Sequence, residues 1–295
     1  MSKTSDMSCD HAEYRPGYQQ ATWSGFSPGE SPVSTANHPL RVHAVTTLKT
    51  GGYSTGDFRQ FNLATHVGDD VEAVKKNRKK LREDLNLPAE PVWLDQCHTN
   101  KVYRAGNESA EKDGDDLDNE TISNAGDKKS LLLKADASIT DKPGVVCAVL
   151  TADCLPVFIC NKSATEVAVV HAGWRGLHQG IITNTIQAMQ SPHKELLVHL
   201  GPAIGPQAFE VGEDVYTAFV EKQLVNRSAF VATRKAAGRQ HFLCDIYQLA
   251  RNELQVLGIN NVTGGECCTY TDTLQYYSYR RLSNTGRMAS LIWLQ

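Results

Sequence analysis

The sequence predicts an α/β (α+β) fold, a compact layered sandwich in which a mixed β-sheet is covered by helices. Two observations carry this expectation. Between Cys147 and Gly180 the runs VVCAVL, LPVFIC and VAVV are short, apolar, rich in β-branched residues and bounded by turn residues, the pattern of three buried strands. Along the rest of the chain, strand-like and helix-like segments alternate with no repeat of fixed period, which favours packed layers over a solenoid or propeller. A chain of 295 residues can bury a sizeable core, in one large or two small domains.

Residues 1–38 are rich in Ser, Gly, Pro and Thr, lack periodicity, and read as a disordered arm in which Cys9 and His11 are inert. The folded domain, 39–295, opens on RVHAVTT as a strand, followed by LKTGGYSTGDF, a loop made flexible by Gly51, Gly52 and Gly56. Residues 71–85, VEAVKKNRKKLREDL, predict a helix with Val71, Val74, Leu81 and Leu85 on one face and a solvated basic face opposite. VWLDQCHTNKVYRA predicts two short strands around Gln96-Cys97-His98. Residues 107–130 form an acidic insertion: seven acidic side chains and one Lys between 108 and 120 repel one another and stay extended. DGDDLDNE within it lacks the sixth-position Gly of a calcium loop. Then follow GLHQGIITNTIQAMQ as a helix, HKELLVHLG as a strand, the loop GPAIGPQAFEVG, and the helices DVYTAFVEKQ and DIYQLARNELQVLGI. VTGGECCTYT, where Cys267 and Cys268 read as buried thiols of an apolar strand, leads through YYSYRR to a closing strand, RMASLIWL.

Composition excludes several classes of function. Thirty basic residues against 33 acidic ones give a net charge of -3, without the basic face expected of a nucleic-acid binder, so a small-molecule partner fits better. No apolar run reaches membrane-spanning length, and the first forty residues carry Asp6, Asp10, Glu13 and Glu30 in place of a secretory core. Eight cysteines without regular spacing read as reduced thiols, and the expected location is the cytoplasm.

Chemistry-bearing residues gather at strand ends: Asp153-Cys154 after the first central strand, and His171 with Gly173, Trp174, Arg175 and Gly176 after the third. A catalytic zinc needs three N or S ligands and an open position; Cys154 and His171 supply two, and His98 or His66 is a candidate for the third. The same pair also suits a Cys154 nucleophile with His171 as its base. A copper oxidase is a third reading, but the ten histidines include no pair one residue apart, so a cluster built from H-x-H pairs cannot be drawn. Zinc-ribbon, H-E-x-x-H, G-x-S-x-G, Walker and G-x-G-x-x-G patterns are absent. Arg175, Arg280 and Arg281 stand among Gly, Ser and Tyr, where a guanidinium fork can hold phosphate or carboxylate.

The segments NLATHVGD, QCH, TADCLPV, HAGWRGL, GPAIGPQAFEVG, CTYT, SYRR and TGRMASLIWL, in this order, resemble the YfiH-type laccase-domain family from about residue 40 to the end. The resemblance implies a laccase-domain catalytic unit over 39–295 whose metal ligands, and catalytic residues, are His98, Cys154 and His171. It implies Zn2+, with copper as the alternative ion. It also implies a purine nucleoside phosphorylase acting on adenosine, guanosine, inosine and S-methyl-5'-thioadenosine with phosphate, and an adenosine deaminase in which water ionised at the metal attacks C6. Two alternatives come with the family: a cytoplasmic peptidoglycan-precursor editing hydrolase, amidase-like and using Cys154 and His171, and a copper-dependent polyphenol oxidase. Lys49, Arg175 and Arg280 are the expected phosphate contacts, and Lys49 stands where the family usually has Arg in T-x-R-x-G-G, keeping charge without the bidentate fork. Ala64 replaces a usual Gly.

Overall fold

The computed structural model describes residues 13–27, 30–35, 39–107, 133–236 and 238–295. In chain order the first half comprises β1 (Glu13–Arg15), β2 (Tyr18–Gln20), β3 (Val42–Thr47), α1 (Val71–Leu85), β4 (Leu94–Asp95), β5 (Val102–Arg104), β6 (Leu133–Lys134) and β7 (Ala137–Thr140). The central strands are β8 (Val146–Thr151), β9 (Leu155–Asn161) and β10 (Val167–Ala172), followed by α2 (Trp174–His178), α3 (Ile181–Ala188) and β11 (Leu196–Leu200). The chain closes with β12 (Glu210–Gly212), α4 (Glu213–Lys222), β13 (Phe230–Ala236), β14 (Arg239–Cys244), α5 (Ile246–Val256), β15 (Val262–Gly264) and β16 (Met288–Leu294).

The apolar runs read as continuous because both faces of each strand are covered. In β9, Leu155, Val157 and Ile159 enter one core with α3 and α5, while Phe158 and Cys160 enter a second. That second core is shared with Cys147 and Val149 of β8 and Ile292 and Leu294 of β16. The expected mixed sheet is instead two large sheets, a five-stranded one ordered β1-β2-β3-β16-β8 and a six-stranded one ordered β15-β11-β9-β10-β7-β5, with a three-stranded sheet β12-β14-β13 and the pair β4-β6 besides. The first is antiparallel throughout; the second is mixed, with β11–β15 and β5–β7 parallel. Helix α1 covers the outer face of the first sheet through Leu81 and Leu85, giving helix, sheet, sheet and helix layers.

Four expectations need correction. The segment expected as a disordered arm is built into the fold from residue 13: β2 pairs with β3, and Trp23, 2% exposed, is sealed in the inter-sheet core. One aromatic anchor and two three-residue strands lie below what periodicity detects. Cys9, His11 and the acidic stretch 108–130 lie outside the described residues. The helix expected over GLHQGIITNTIQAMQ is broken into α2 and α3 at Gly180, whose φ of 85° is left-handed. Val71 of α1 is 57% exposed, and the buried stripe runs Val74, Asn77, Leu81 and Leu85. Asn77 belongs there because its amide bonds Ser54 Oγ, the Asn62 carbonyl and the Tyr53 amide, locking the glycine-rich loop to the helix. Six described cysteines are free, but Cys267 is disulfide-bonded, and neither it nor Cys268 lies in a strand.

Candidate metal centre

The crossover between the two sheets creates the site. Strand β8 ends the first sheet at Thr151; Ala152, Asp153 and Cys154 carry the chain across, and β9 begins in the second sheet at Leu155. Pairing of β10 with β9 sets His171 opposite Pro156, so its ring lies beside Cys154. Pairing of β10 with β7 sets Val170 opposite Ala137 and brings Asp136 level with His171, whose amide donates to the Asp136 carbonyl at 2.7 Å. His98 arrives on the loop between β4 and β5. Gln96 holds that loop by a two-way bond with the Leu150 backbone, at 2.9 and 2.7 Å.

The ligating atoms of His98, Cys154 and His171 all lie within 4.8 Å of one another, with His98 Nε2 3.9 Å from Cys154 Sγ. Asp136, fully buried, organises both histidines. One carboxylate oxygen accepts from His171 Nδ1 at 2.8 Å and from the His98 amide at 3.0 Å; the other accepts the Thr99 amide at 2.6 Å and hydroxyl at 2.7 Å. A proton on His171 Nδ1 leaves Nε2 as the free lone pair, the usual outer-shell arrangement for a histidine that binds a metal. His98 and Asp153 have φ of 58° and 88°, left-handed values uncommon for residues with a side chain, and strain of this kind collects at functional sites. Gly173 is required by close approach: a Cβ there sits 3.0 Å from both Cys154 Sγ and His98 Cδ2.

Charge in the cluster follows from this packing. Burial alone raises the Cys154 thiol, but the His171 and His98 rings bring it down to about 6. Burial alone lowers His171, and the Cys154 sulfur and Asp136 carry it up to about 9. Asp136 is opposed by burial yet held at about 2 by its bonds from His171 and Thr99. At neutral pH a thiolate therefore faces an imidazolium, and a metal cation bound there would take the place of that ring proton. The donor set fits zinc. Tetrahedral Zn–S of about 2.3 Å and Zn–N of about 2.0–2.1 Å place ligand atoms roughly 3.5 Å apart, close to the 3.9 Å between His98 Nε2 and Cys154 Sγ and within about 1.3 Å of the widest spacing in the cluster, 4.8 Å. Among the described residues no second group of this kind occurs, so the residues do not build a multicopper cluster.

The cluster opens on a cavity of about 530 Å3. Trp174, Ile204, Phe209 and Ile246 make an apolar wall; Arg175, Arg280, Arg287 and His66 supply nitrogen-bearing groups. Arg175 lies over the Trp174 ring at 4.5 Å and Arg280 near the Phe209 ring at 5.4 Å. Lys49, expected beside them, is not on the cavity wall; its ammonium donates to the Thr273 carbonyl. Arg281 is likewise spent on the carbonyls of Thr269, Tyr270 and Tyr276. Sequence reasoning missed Asp136, which stands between Ala135 and Ala137 just before β7, and Arg287, which stands in the TGRMASLIWL segment without being singled out.

Residues 43–295 match a family described as multi-copper polyphenol oxidoreductase laccase. The chain belongs to the YfiH-type laccase-domain family. A purine nucleoside phosphorylase of Pseudomonas aeruginosa is 46% identical over 257 residues, 87% of this chain and 95% of that protein. Purine nucleoside phosphorylase YfiH of Escherichia coli is 42% identical over 260 residues, covering 87% and 95%. The crystal structure of a Neisseria meningitidis protein superposes with a TM-score of 0.76 at 39% identity, covering 95% of this chain and 99% of that one. A Bacillus licheniformis YfiH gives 0.74 at 27% identity, covering 86% and 93%. The two-sheet sandwich of this chain is thus a YfiH-type fold.

Proposed function

We infer that this protein is a cytoplasmic, zinc-dependent purine nucleoside enzyme. It phosphorolyses adenosine, guanosine, inosine and S-methyl-5'-thioadenosine to the free base and the ribose 1-phosphate or its methylthio analogue, and deaminates adenosine to inosine. The observation that carries the reading is a three-residue His98–Cys154–His171 cluster, oriented by Asp136, at the wall of a cavity lined by both apolar and cationic side chains. Relatives named as purine nucleoside phosphorylases, covered over nearly their whole length, support it.

The residues divide the work. Trp174, Phe209, Ile204 and Ile246 offer the planar base an apolar surface. Asp136 holds His171 in the tautomer that turns Nε2 to the cluster, and fixes the His98 backbone. Bound zinc supplies Lewis acidity that lowers the pKa of water to near neutrality, the nucleophile deamination at C6 requires. In phosphorolysis the C1'–N9 bond breaks, a phosphate oxygen bonds C1', and the purine leaves with a proton; Arg175 and Arg280 stand at the cavity to neutralise the phosphate.

The lowered Cys154 thiol beside His171 favours one alternative, an amidase-like editing hydrolase with Cys154 as nucleophile. Incubation with adenosine, inosine, methylthioadenosine and a muramyl dipeptide precursor, with and without phosphate, separates the two by product mass. The inference expects free base and ribose 1-phosphate only with phosphate, inosine from adenosine without it, and a falling inosine-to-adenine ratio as phosphate rises. Release of the dipeptide's amino acid with no nucleoside turned over overturns it.

A further inference from the structure

Three guanidinium groups reach the cavity, and they are not equivalent. Arg175 and Arg280 are exposed at its mouth, and Arg280 Nη1 donates to the Glu210 carbonyl at 2.9 Å. Arg287 is half-buried, next to Cys154, Tyr279 and Asp153. The one carboxylate near it is already engaged: Asp153 accepts the Thr269 hydroxyl at 2.6 Å, the Ser278 hydroxyl at 3.0 Å and the Arg280 amide at 2.6 Å. None of the described ion pairs includes any of these three arginines. Arg287 Nη1 donates to the Thr285 and Gly286 carbonyls at 2.7 and 3.1 Å, which leaves the Nε and Nη2 donors without a partner among the described residues. Neither donor is a buried unsatisfied atom, so both open on the cavity, where a bound oxyanion can take the place of water.

Its backbone is also held rigidly. The Arg287 amide donates to Asn62 Oδ1 at 2.9 Å; Asn62 is fully buried and donates in turn to Asp69 Oδ2 at 2.9 Å. Gly286 packs so closely that a Cβ would meet the Tyr277 ring at 2.6 Å and Asn62 Cβ at 2.9 Å. The NLATHVGD and TGRMASLIWL segments, far apart in sequence, thus cooperate to aim one guanidinium into the cavity beside the cluster.

We propose that Arg287 anchors a phosphate subsite next to the His98–Cys154–His171 cluster, its free Nε–Nη2 edge holding the oxyanion while Arg175 and Arg280 screen it from the mouth. The assignment rests on the phosphorolytic reading for its role in turnover, but inorganic phosphate binding is measurable without it. Guanidinium donors fixed in advance and shielded from bulk water bind an oxyanion more strongly than the same group on an exposed side chain.

The test uses the full-length, zinc-loaded chain and inorganic phosphate alone, followed by 31P line broadening and calorimetry. Arg287→Met is expected to weaken phosphate binding roughly 10- to 100-fold, the loss typical of a charge-assisted bidentate contact. Arg287→Lys, which keeps charge without the fork, is expected to fall between, and Arg175→Met to cost only a few-fold. Zinc content and melting temperature, read on the same samples, should stay near wild type for Arg287→Lys even if Arg287→Met fails to fold. Wild-type phosphate affinity in both Arg287 variants, loss concentrated in Arg175→Met, loss of zinc together with phosphate, or no saturable phosphate binding by the wild-type chain would each overturn the proposal. Nucleoside assays on the same preparations separate the failures. Phosphorolysis with an unchanged phosphate KM in Arg287→Lys removes Arg287 and leaves the enzyme reading standing; absence of nucleoside turnover in the wild-type chain removes the enzyme reading while the binding data still judge Arg287.

Discussion

Asp136→Asn removes one charge and changes one atom, and the structure says what that costs. The carboxylate accepts four hydrogen bonds, two on each oxygen, all from donors: His171 Nδ1 and the His98 amide on one, the Thr99 amide and hydroxyl on the other. An asparagine side chain can satisfy one pair only, because its NH2 then points at the other pair. Two bonds to a charged acceptor are lost, at roughly 1.5–3 kcal/mol each, so the variant should be destabilised by about 3–6 kcal/mol. For a chain of this size the melting temperature should fall by about 2–4 °C for each kcal/mol. If the amide turns toward His171, the ring loses the acceptor that fixes its tautomer, and zinc affinity should drop about 10- to 100-fold, the usual effect of removing such a partner. Competition against a chromophoric chelator, run well below the melting point, measures the second effect apart from the first. Unchanged zinc affinity in a folded Asp136→Asn protein would refute the claim that this carboxylate orients the ligands.

Two further outcomes follow from residues away from Asp136. Gly173→Ala places a methyl 3.0 Å from Cys154 Sγ and His98 Cδ2, so zinc content and nucleoside turnover should both fall while stability drops by only about 1–3 kcal/mol; full metal occupancy would show that the ligands yield freely. His199 is buried between the sheets, its Nδ1 accepting from the Thr22 amide at 3.3 Å, and burial lowers it from 6.5 to about 4. The folded state therefore binds the proton more weakly than the unfolded one. The neutral ring's contribution is complete above pH 6.5 and is lost as pH falls toward 4, about 3 kcal/mol in all. Denaturant midpoints across pH 4–7 should show this loss in wild type and lack it in His199→Gln; parallel curves for the two proteins would remove His199 from the account.

What the chain displayed in advance, and what it hid, divides along the range of the interactions. The strands around Cys154 and His171 were legible because apolar runs bounded by turns are a local property, and α1 was legible down to its ends, where Asp70 caps the first turn by accepting the Ala73 amide. Cys154 and His171 stood out as polar residues at the ends of those runs, but spacing alone left His66 and His98 equal as the third ligand. The fold decides between them: Gln96 clamps the His98 loop to Leu150, and Asp136 holds the His98 amide, whereas His66 remains on the cavity wall outside the cluster. The same limit explains why a single mixed sheet was expected where two large sheets pack together. Asp153-Cys154 marks locally that one strand ends after Thr151 and another begins at Leu155, but nothing local marks that the three residues between them leave one sheet and start another.

That crossover also accounts for the chemistry being where it is. The crossing segment is held from elsewhere in the chain: the Asp153 carbonyl accepts the Ile204 amide at 2.9 Å, and its carboxylate accepts the Thr269 and Ser278 hydroxyls and the Arg280 amide. These bonds draw the 269–280 loop over the cavity, whose lining includes Tyr279 and Arg280. Arg287, just before the closing strand, then faces Cys154 from the side of the first sheet, and His171 faces it from the second. The proposed anion-binding cation and His171 of the candidate metal cluster are thereby contributed by different sheets, and their separation is set by how the two sheets pack. Enlarging the inter-sheet core should therefore act on the two functions together in a way that a substitution at either site alone does not. Ala44→Val, at a residue 2% exposed in that core, should shift phosphate affinity and zinc affinity in the same protein, and finding one moved without the other would show that the two sheets do not set that spacing.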